Sequence, residues 1–444
     1  MRAELGLASA AAAVAGEAIA VGIFLTPAGM ARSLGSPLGL LLVWLAVGAM
    51  TLSGALCFGE LAGRYPRTGG LYVYLEEAFG RRVAFLYGWM SLLVLDPGLS
   101  AALATGAAGY SAHIFPWWSR WATKAAALGL IVGFCVLNMI SVRVSAGFLR
   151  FVTWLKFAVL GVVVLWPMVF HLGSWKNFVP LAAQHSGSLP LLQGLAAAMV
   201  LAFFSFGGWW DVSKIAGEVK EPERTLPRAM VLGVLAVTAV YILVSAVFLY
   251  LVPVEKITSD ETFVAQAGAV LFGPNGGQAF SAIVILCVVG SLAAFMMTAP
   301  RVYYAMAEDG LFLRSVARLQ PRFGTPWLAI AIQAVAASVL VIASDFQQIV
   351  AYFIFAAVAF LGLAVGGLFL FRRRDPRPQG VILTPGYPAT PAAFLLLVVL
   401  LLILMAIRSP RETLLGAAVV LAGLPVYAVM NRRVPAERKN CVLE

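Results

Sequence analysis

Twelve apolar runs, most close to the roughly 20 residues that cross a hydrocarbon layer, divide this 444-residue chain. They fall at about 5 to 34, 38 to 65, 81 to 112, 121 to 141, 147 to 171 and 190 to 214. The others lie at about 228 to 252, 277 to 306, 326 to 344, 347 to 371, 391 to 407 and 412 to 431. Charged residues make up only 11% of the chain and gather between the runs, whereas 61% of residues are hydrophobic. Mean hydropathy is +0.93. The pattern predicts an all-α integral membrane protein of twelve transmembrane helices, with no soluble domain long enough to fold alone.

Two of the runs are interrupted. Ala15-Gly16-Glu17-Ala18-Ile19-Ala20-Val21-Gly22-Ile23-Phe24-Leu25-Thr26-Pro27 places glycine, a carboxylate and proline inside the first span. Phe204-Ser205-Phe206-Gly207-Gly208-Trp209-Trp210 interrupts the sixth. A helix in hydrocarbon releases backbone groups only where protein or a water-filled cavity satisfies them, so a breakable span predicts a binding site at membrane depth. Either glycine motif alone is also suited to close helix packing. Together, five spans apart and at matching positions, they predict two structural repeats, residues 1–171 and 190–371, with two peripheral or dimer-forming helices at 391–431 and a tail at 432–444. Amides freed at such a break suit a carboxylate and freed carbonyls suit an ammonium, which fits an amino acid zwitterion.

The net charge of +11 comes from short loops rather than from a basic stripe with interleaved polar aromatics, so membrane topology accounts for it and nucleic acid is not expected as a partner. With both termini cytoplasmic, the inner ends collect Arg64, Arg67, Arg81, Arg82, Arg143, Arg150, Lys214, Lys220, Arg224 and the Arg372-Arg373-Arg374 run, while the outer side keeps few basic residues. That asymmetry places the chain as a multi-pass protein of the plasma (inner) membrane. The Arg372 to Arg374 run serves topology, with no substrate role. Glu60, Glu76 and Glu77 are expected either to pair with Arg64, Arg67, Arg81 or Arg82 in a cytoplasmic gate network or to form solvated interfacial pairs. The chain passes from Arg2 and Glu4 straight into the first span, without a cleavable signal. Cys57, Cys135, Cys287 and Cys441 are scattered, and His113, His171 and His185 lie at or near loops, so free thiols, no metal and no cofactor are expected. The connection from about 253 to 276 holds a possible short helix at 260 to 271, a lid or a simple link.

Several motifs occur in order along spans one to ten. They are Gly22-Ile23-Phe24-Leu25-Thr26-Pro27, Gly35-Ser36-Pro37, Gly54-Ala55-Leu56-Cys57-Phe58-Gly59-Glu60-Leu61, Thr68-Gly69-Gly70-Leu71-Tyr72-Val73-Tyr74, Phe204-Ser205-Phe206-Gly207-Gly208-Trp209 and Glu218-Val219-Lys220-Glu221-Pro222-Glu223-Arg224-Thr225-Leu226-Pro227. In combination they resemble the L-type amino acid transporters of the amino acid-polyamine-organocation superfamily. The resemblance implies a LeuT-type 5+5 inverted repeat with broken helices 1 and 6, and sodium-independent transport of small to medium neutral L-amino acids, often by exchange. It implies a substrate site at Ala18, Val21, Gly22, Ile23, Phe204, Phe206 and Gly207. Gly22 and Ile23 would offer backbone to the substrate carboxylate and Gly207 backbone toward the amino group, with Phe204 as the aromatic gate. The family usually reads Gly-Ser-Gly-Ile-Phe at the first break, and here Ala20 and Val21 hold the first two positions. The outer stretch between spans three and four, Ala112 to Trp121, lacks the cysteine through which animal members join an accessory glycoprotein. The chain is therefore expected to work alone, as a monomer or weak homodimer.

Lys156 in span five sits about eight residues, or roughly 12 Å at helical rise, from the inner end of its helix, where it snorkels only with difficulty. The family places a lysine here, whose ammonium looks like a replacement for a bound sodium ion beside span one. Glu17 lies one to two turns before the first break, where an unpaired carboxylate is costly and a partner is expected. The family pattern does not normally carry an acid there. A Glu17–Lys156 ion pair would hold both charges and act either as a conformational switch or, if it opens, as a proton carrier in a proton-coupled symporter. Asp96, before Pro97 in span three, is a second acid at depth, and Asp211 either faces the cavity or caps nearby backbone. Trp209 and Trp210 are alternative gate residues or packing aromatics. A membrane-embedded enzyme is the rival class, disfavoured because no His cluster, Cys/His pair or acidic metal-ligand spacing is present. A channel is disfavoured because no repeated carbonyl filter or charged ring is visible.

Overall fold

The computed structural model describes residues 5–20, 22–115, 117–140, 142–181, 188–257, 267–343, 346–408 and 410–431. Val21, His185, Cys441, much of the proposed 260 to 271 helix and the 432–444 tail lie outside the described residues. Glycine and proline divide span one into α1 (Leu7–Ala18) and α2 (Gly22–Leu34). Span two is α3 (Pro37–Arg64), started by proline at its first position and by Ser36, whose hydroxyl accepts from the Gly39 amide. A short α4 (Leu71–Phe79) leads to span three, which is α5 (Arg81–Met90), a π-helical turn over Ser91–Leu95, and α6 (Asp96–Ile114). Pro97 offers no amide and its ring crowds the preceding turn, which accounts for the widened turn just before it.

Spans four and five are α7 (Arg120–Ile140) and α8 (Val142–Val169). Span six is α9 (Ser188–Phe206), which unwinds at Gly207 and resumes as a 3-10 segment, Asp211–Glu218. Next come α10 (Pro222–Leu251), α11 (Gly276–Thr298) continued by α12 (Pro300–Glu308), α13 (Trp327–Ala343), α14 (Phe346–Arg374), α15 (Ala389–Arg408) and α16 (Pro410–Asn431). Among the described residues ten spans pass on length and apolarity alone, and the split first span and the 17-residue α13 complete the expected twelve.

The broken helices sit at the centre. α1 packs on α8, α10 and α11, α2 on α9, and α6 on α11, while α3 lies along α10. Helices α15 and α16 cover the outside of α3, α5 and α14 and turn Leu396, Ile407, Leu414 and Leu421 outward, as a lipid-facing surface does.

One end of the bundle is basic. Glu60 accepts from Arg64 (2.9 Å), Arg372 (2.7 Å) and the Thr384 amide (2.7 Å), tying α3 to α14 and to the loop that follows it. Of the expected partners, Arg64 pairs with Glu60, Arg67 with Glu77 (2.5 Å) and Arg81 with Glu76 (3.9 Å); Arg372 joins Arg64 on Glu60, so the arginine run does more than mark topology. Arg374 donates to the Glu77 carbonyl, and Arg81 donates to the Asp309 carbonyl. Burial and nearby Asp309 push the Glu76 carboxyl of α4 up to about 7. At the same end Leu5 pairs in parallel with Val219: its amide donates to Glu218 O (2.9 Å), and its carbonyl accepts from the Lys220 amide (2.8 Å). The buried guanidinium of Arg301 holds the Glu218 carboxylate at 3.0 Å.

Candidate functional site

The two breaks face each other. A Cβ at Gly22 would come within 2.8 Å of the Ser205 Cα, so only glycine lets the start of α2 touch the end of α9. Gly208 has φ +99°, in the region favouring glycine, and a Cβ there would come within 2.9 Å of the Glu17 Cβ. Thr26 joins the breaks by donating to Gly22 O (2.8 Å) and pairing with the Ser205 hydroxyl (2.8 Å). From α10, the Tyr241 hydroxyl lies 2.5 Å from Ala18 O and 2.6 Å from Ser205 O, so one buried donor serves the carbonyls freed at both breaks.

A cavity opens against these segments. Of the predicted residues, Ala18, Gly22, Phe204 and Gly207 line it, and so does Glu17. Ala20, Gly208, Trp210, Ser291, Phe295, Leu95 and Leu99 complete much of the wall, which is mostly apolar. Ile23 and Phe206 are buried but do not line it, and Phe206 packs its ring against Trp44 and Tyr241. Trp209 packs edge-on to Phe58, leaving Trp210 as the tryptophan on the cavity. The first-turn amides of α2 have no helical acceptor by virtue of position, so they supply donors at the break. The cavity therefore combines apolar walls with backbone donors and acceptors between the two breaks.

Lys156 is fully buried, and its ammonium donates to Gly16 O (2.8 Å), Ile19 O (2.9 Å) and the Ser291 hydroxyl (2.9 Å). Three oxygens from the end of α1 and from α11 thus close around one cation. The expected ion pair with Glu17 is not formed. Glu17 follows Gly16 by about 100° around the helix, so its side chain leaves α1 in another direction, accepts from Thr298 Oγ1 (2.9 Å) and lies against Gly208.

Lys214, read from sequence as an inner-loop charge, is also fully buried. Its ammonium is 2.8 Å from Asp211 Oδ1 and 3.4 Å from Asp96 Oδ1. Tyr303 donates to the other Asp96 oxygen at 2.8 Å, and the ring of Phe295 lies 5.3 Å beneath the ammonium. Glu17 lies against Gly208, and the Asp211 amide donates to the Gly208 carbonyl (3.0 Å), so the two acids are neighbours at the second break. Asp96, Asp211, Lys214 and Glu17 therefore form one buried cluster beside the cavity. Among the described residues, no group of three or more His, Cys, Asp or Glu side chains forms a metal site.

Comparison with known proteins agrees with this architecture. The amino acid permease family profile matches residues 5–430. The chain is 30% identical over 436 residues to the serine/threonine exchanger SteT of Bacillus subtilis (strain 168), covering 98% of both chains. It is 30% identical over 439 residues to the human b(0,+)-type amino acid transporter 1, covering 96% of this chain and 87% of that one. It is 28% identical over 440 residues to the human large neutral amino acids transporter small subunit 2, covering 96% and 80%. The split first and sixth spans, the cavity between them and these full-length matches lead to one assignment: the chain belongs to the amino acid permease family, among the L-type amino acid transporters of the amino acid-polyamine-organocation superfamily.

Proposed function

We propose that this protein carries neutral L-amino acids of small to medium size across the plasma membrane by alternating access, without sodium, and exchanges one amino acid for another. The observation that carries this reading is the Lys156 ammonium held on Gly16 O, Ile19 O and Ser291 Oγ. A cation built into the protein occupies the place between the broken helix and α11 where a mobile cation would otherwise satisfy the same oxygens, so sodium is not required. The likeness to a named serine/threonine exchanger supports exchange and small substrates. In this reading the basic end and both termini are cytoplasmic, residues 1–171 and 190–371 form the two five-helix repeats, and the chain works without a disulfide-linked subunit.

The substrate's carboxylate meets the amides at the start of α2 and its ammonium the carbonyls around Ala18 and Phe204 to Gly207, with the side chain against Leu95, Leu99 and Phe295. Phe204 closes over it from the outer side. Uptake into liposomes loaded with an amino acid should persist in sodium-free buffer, and a strict sodium requirement would refute the reading. Phe204→Ala should lower initial uptake about tenfold, the scale of one lost closing contact of roughly 1.4 kcal/mol, at unchanged expression. An unaltered rate would remove Phe204 as the gate.

A further inference from the structure

We propose that Glu17 and Asp211 form a proton-binding site, one proton shared between two carboxyls, which loads and unloads through the substrate cavity so that an amino acid can cross together with a proton. The proposal rests on the transport reading above and adds to it a second cargo. It starts from the balance of charge. Around the end of α1 the structure gathers three carboxyl groups, Glu17, Asp96 and Asp211, and two ammonium groups, Lys156 and Lys214, each no more than 6% exposed. Were all ionised, one negative charge would be left over in a site where unmatched charge is strongly disfavoured. One proton makes the cluster neutral.

Geometry says where that proton sits. Asp96 is supplied with the Tyr303 hydroxyl and Lys214. Asp211 holds Lys214 at 2.8 Å. Glu17 receives Thr298 on Oε1, whereas no donor reaches Oε2, and it is this side chain that lines the cavity. Asp211 is its neighbour across Gly208: a Cβ at Gly208 would come within 3.3 Å of Glu17 Oε2, and the Gly208 carbonyl accepts from the Asp211 amide. A proton between the two acids gives Oε2 the hydrogen bond it lacks and leaves Asp211 enough charge to keep Lys214.

Among the described residues, the cations on the elements packed against Glu17 are already committed: Lys214 of the 3-10 segment is held by Asp211 (2.8 Å) and Asp96 (3.4 Å). On α10 the nearest polar group, Tyr241, is occupied by the Ala18 and Ser205 carbonyls. On α8, Thr153 hydrogen-bonds Ala12 O, and Lys156 is occupied by Gly16 O, Ile19 O and Ser291. On α11, Ser291 bonds the same two carbonyls, Thr298 is the donor already counted, and Cys287 is a buried thiol near Lys156. On α5 the Tyr87 hydroxyl is buried near Lys214 rather than beside Glu17. Access is coupled to transport because Glu17 lines the cavity that, in the reading above, the substrate fills. The glycine at 208 is part of the site, since its missing side chain gives Glu17 room against the unwound part of span six.

The test uses the full chain in liposomes, voltage-clamped, with a pH-sensitive dye inside. Counterflow of labelled neutral amino acids without a pH gradient reads transport itself. Liposomes free of internal amino acid, with the outside about two pH units more acidic, read the proton site. Uptake should rise about tenfold over the no-gradient control, with acidification of the lumen on adding substrate. Glu17→Gln and Asp211→Asn should each bring that ratio to about one. If one variant does not fold, the other variant and the parent's acidification still decide. Counterflow with no pH response and no acidification in the parent would overturn the proton site and leave transport standing. A pH response that persists in both variants would overturn it too. Loss of lysine and arginine uptake alone in Glu17→Gln, with no proton movement in the parent, would make Glu17 a side-chain counter-ion instead. Absence of counterflow for all amino acids would refute the transport reading.

Discussion

Two lysines lie fully buried beside the first break, and their surroundings are opposite. Lys156 is held by two backbone carbonyls and a hydroxyl, all neutral. Lys214 is held by two carboxylates and an aromatic face. The first arrangement is tied to helix geometry: the carbonyls converge only while α1 ends where it does, so the ammonium acts as a rivet for the unwound turn. The second is tied to charge: its strength changes whenever one of its acids gains or loses a proton. The rivet thus fixes the end of α1, while the clamp ties the 3-10 segment of span six to α6 beside it.

The comparison breaks most sharply at Lys156. Lys156→Met removes three charge-assisted hydrogen bonds and leaves the Ser291 hydroxyl as the one remaining side-chain donor to both the Gly16 and Ile19 carbonyls, a loss of roughly 3 kcal/mol, so uptake should fall about 100-fold. No acid-to-amide change elsewhere should restore it. Retained uptake in the single variant would show that the break does not depend on the cation.

Lys214→Met should instead act on stability. Removing the cation from a buried pair typically costs about 3–5 kcal/mol, while removing both partners is far milder. Adding Asp211→Asn should therefore recover part of the loss of thermal stability in detergent, and strict additivity of the two changes would dissolve the clamp. Gly290→Ala sharpens the contrast with a smaller change. Its new Cβ would approach Lys156 Cε at 2.6 Å and Val152 Cγ1 at 2.5 Å, so the ammonium must shift off its carbonyls. Overpacking of this kind costs about 1–3 kcal/mol, and uptake should drop several-fold while the Lys214 cluster keeps its stability profile.

The smallest effect belongs to Glu76, outside both lysine sites. Its carboxyl is raised from 4.5 to about 7 by burial first and Asp309 second. The folded protein then holds a proton that the unfolded chain has released, so this group makes stability fall as pH rises from about 4.5 to about 7. Glu76→Gln should flatten the melting temperature over that window. An unchanged slope would place the pH dependence elsewhere.

Much of this was legible in the chain. Apolar run length is a direct consequence of bilayer thickness, so twelve spans could be read off it, including a first span that the structure divides at Gly22. That Lys156 stays inside the protein rather than at an end of its helix followed from counting residues along that helix. Direction did not. Depth depends on 1.5 Å per residue, whereas the face a side chain takes turns by about 100° per residue, so Glu17 and Lys156 share a level without sharing a contact. Lys214 was misread for a different reason. It stands at the end of an apolar run, followed by Ile215-Ala216-Gly217-Glu218, where a charge ordinarily meets the interface. The unwinding at Gly207 shortens and redirects the rest of span six, and the 3-10 segment stays inside the bundle. Arg301 and Tyr241 carried no local signal, because their partners are backbone or acid groups brought close only by the fold.

The short pairing of Leu5 with Val219 has a mechanical consequence. Two backbone hydrogen bonds fasten the chain just ahead of α1 to the end of the 3-10 segment of span six. Each break considered alone is a hinge, and two free hinges would give the basic end two independent motions. With the ends fastened, α1 and the 3-10 segment form a closed linkage. Opening that end must either swing both arms as one body about the Gly22 and Gly207 corners or part the strap first. A single mode of motion turns a pair of flexible helices into a gate with one coordinate.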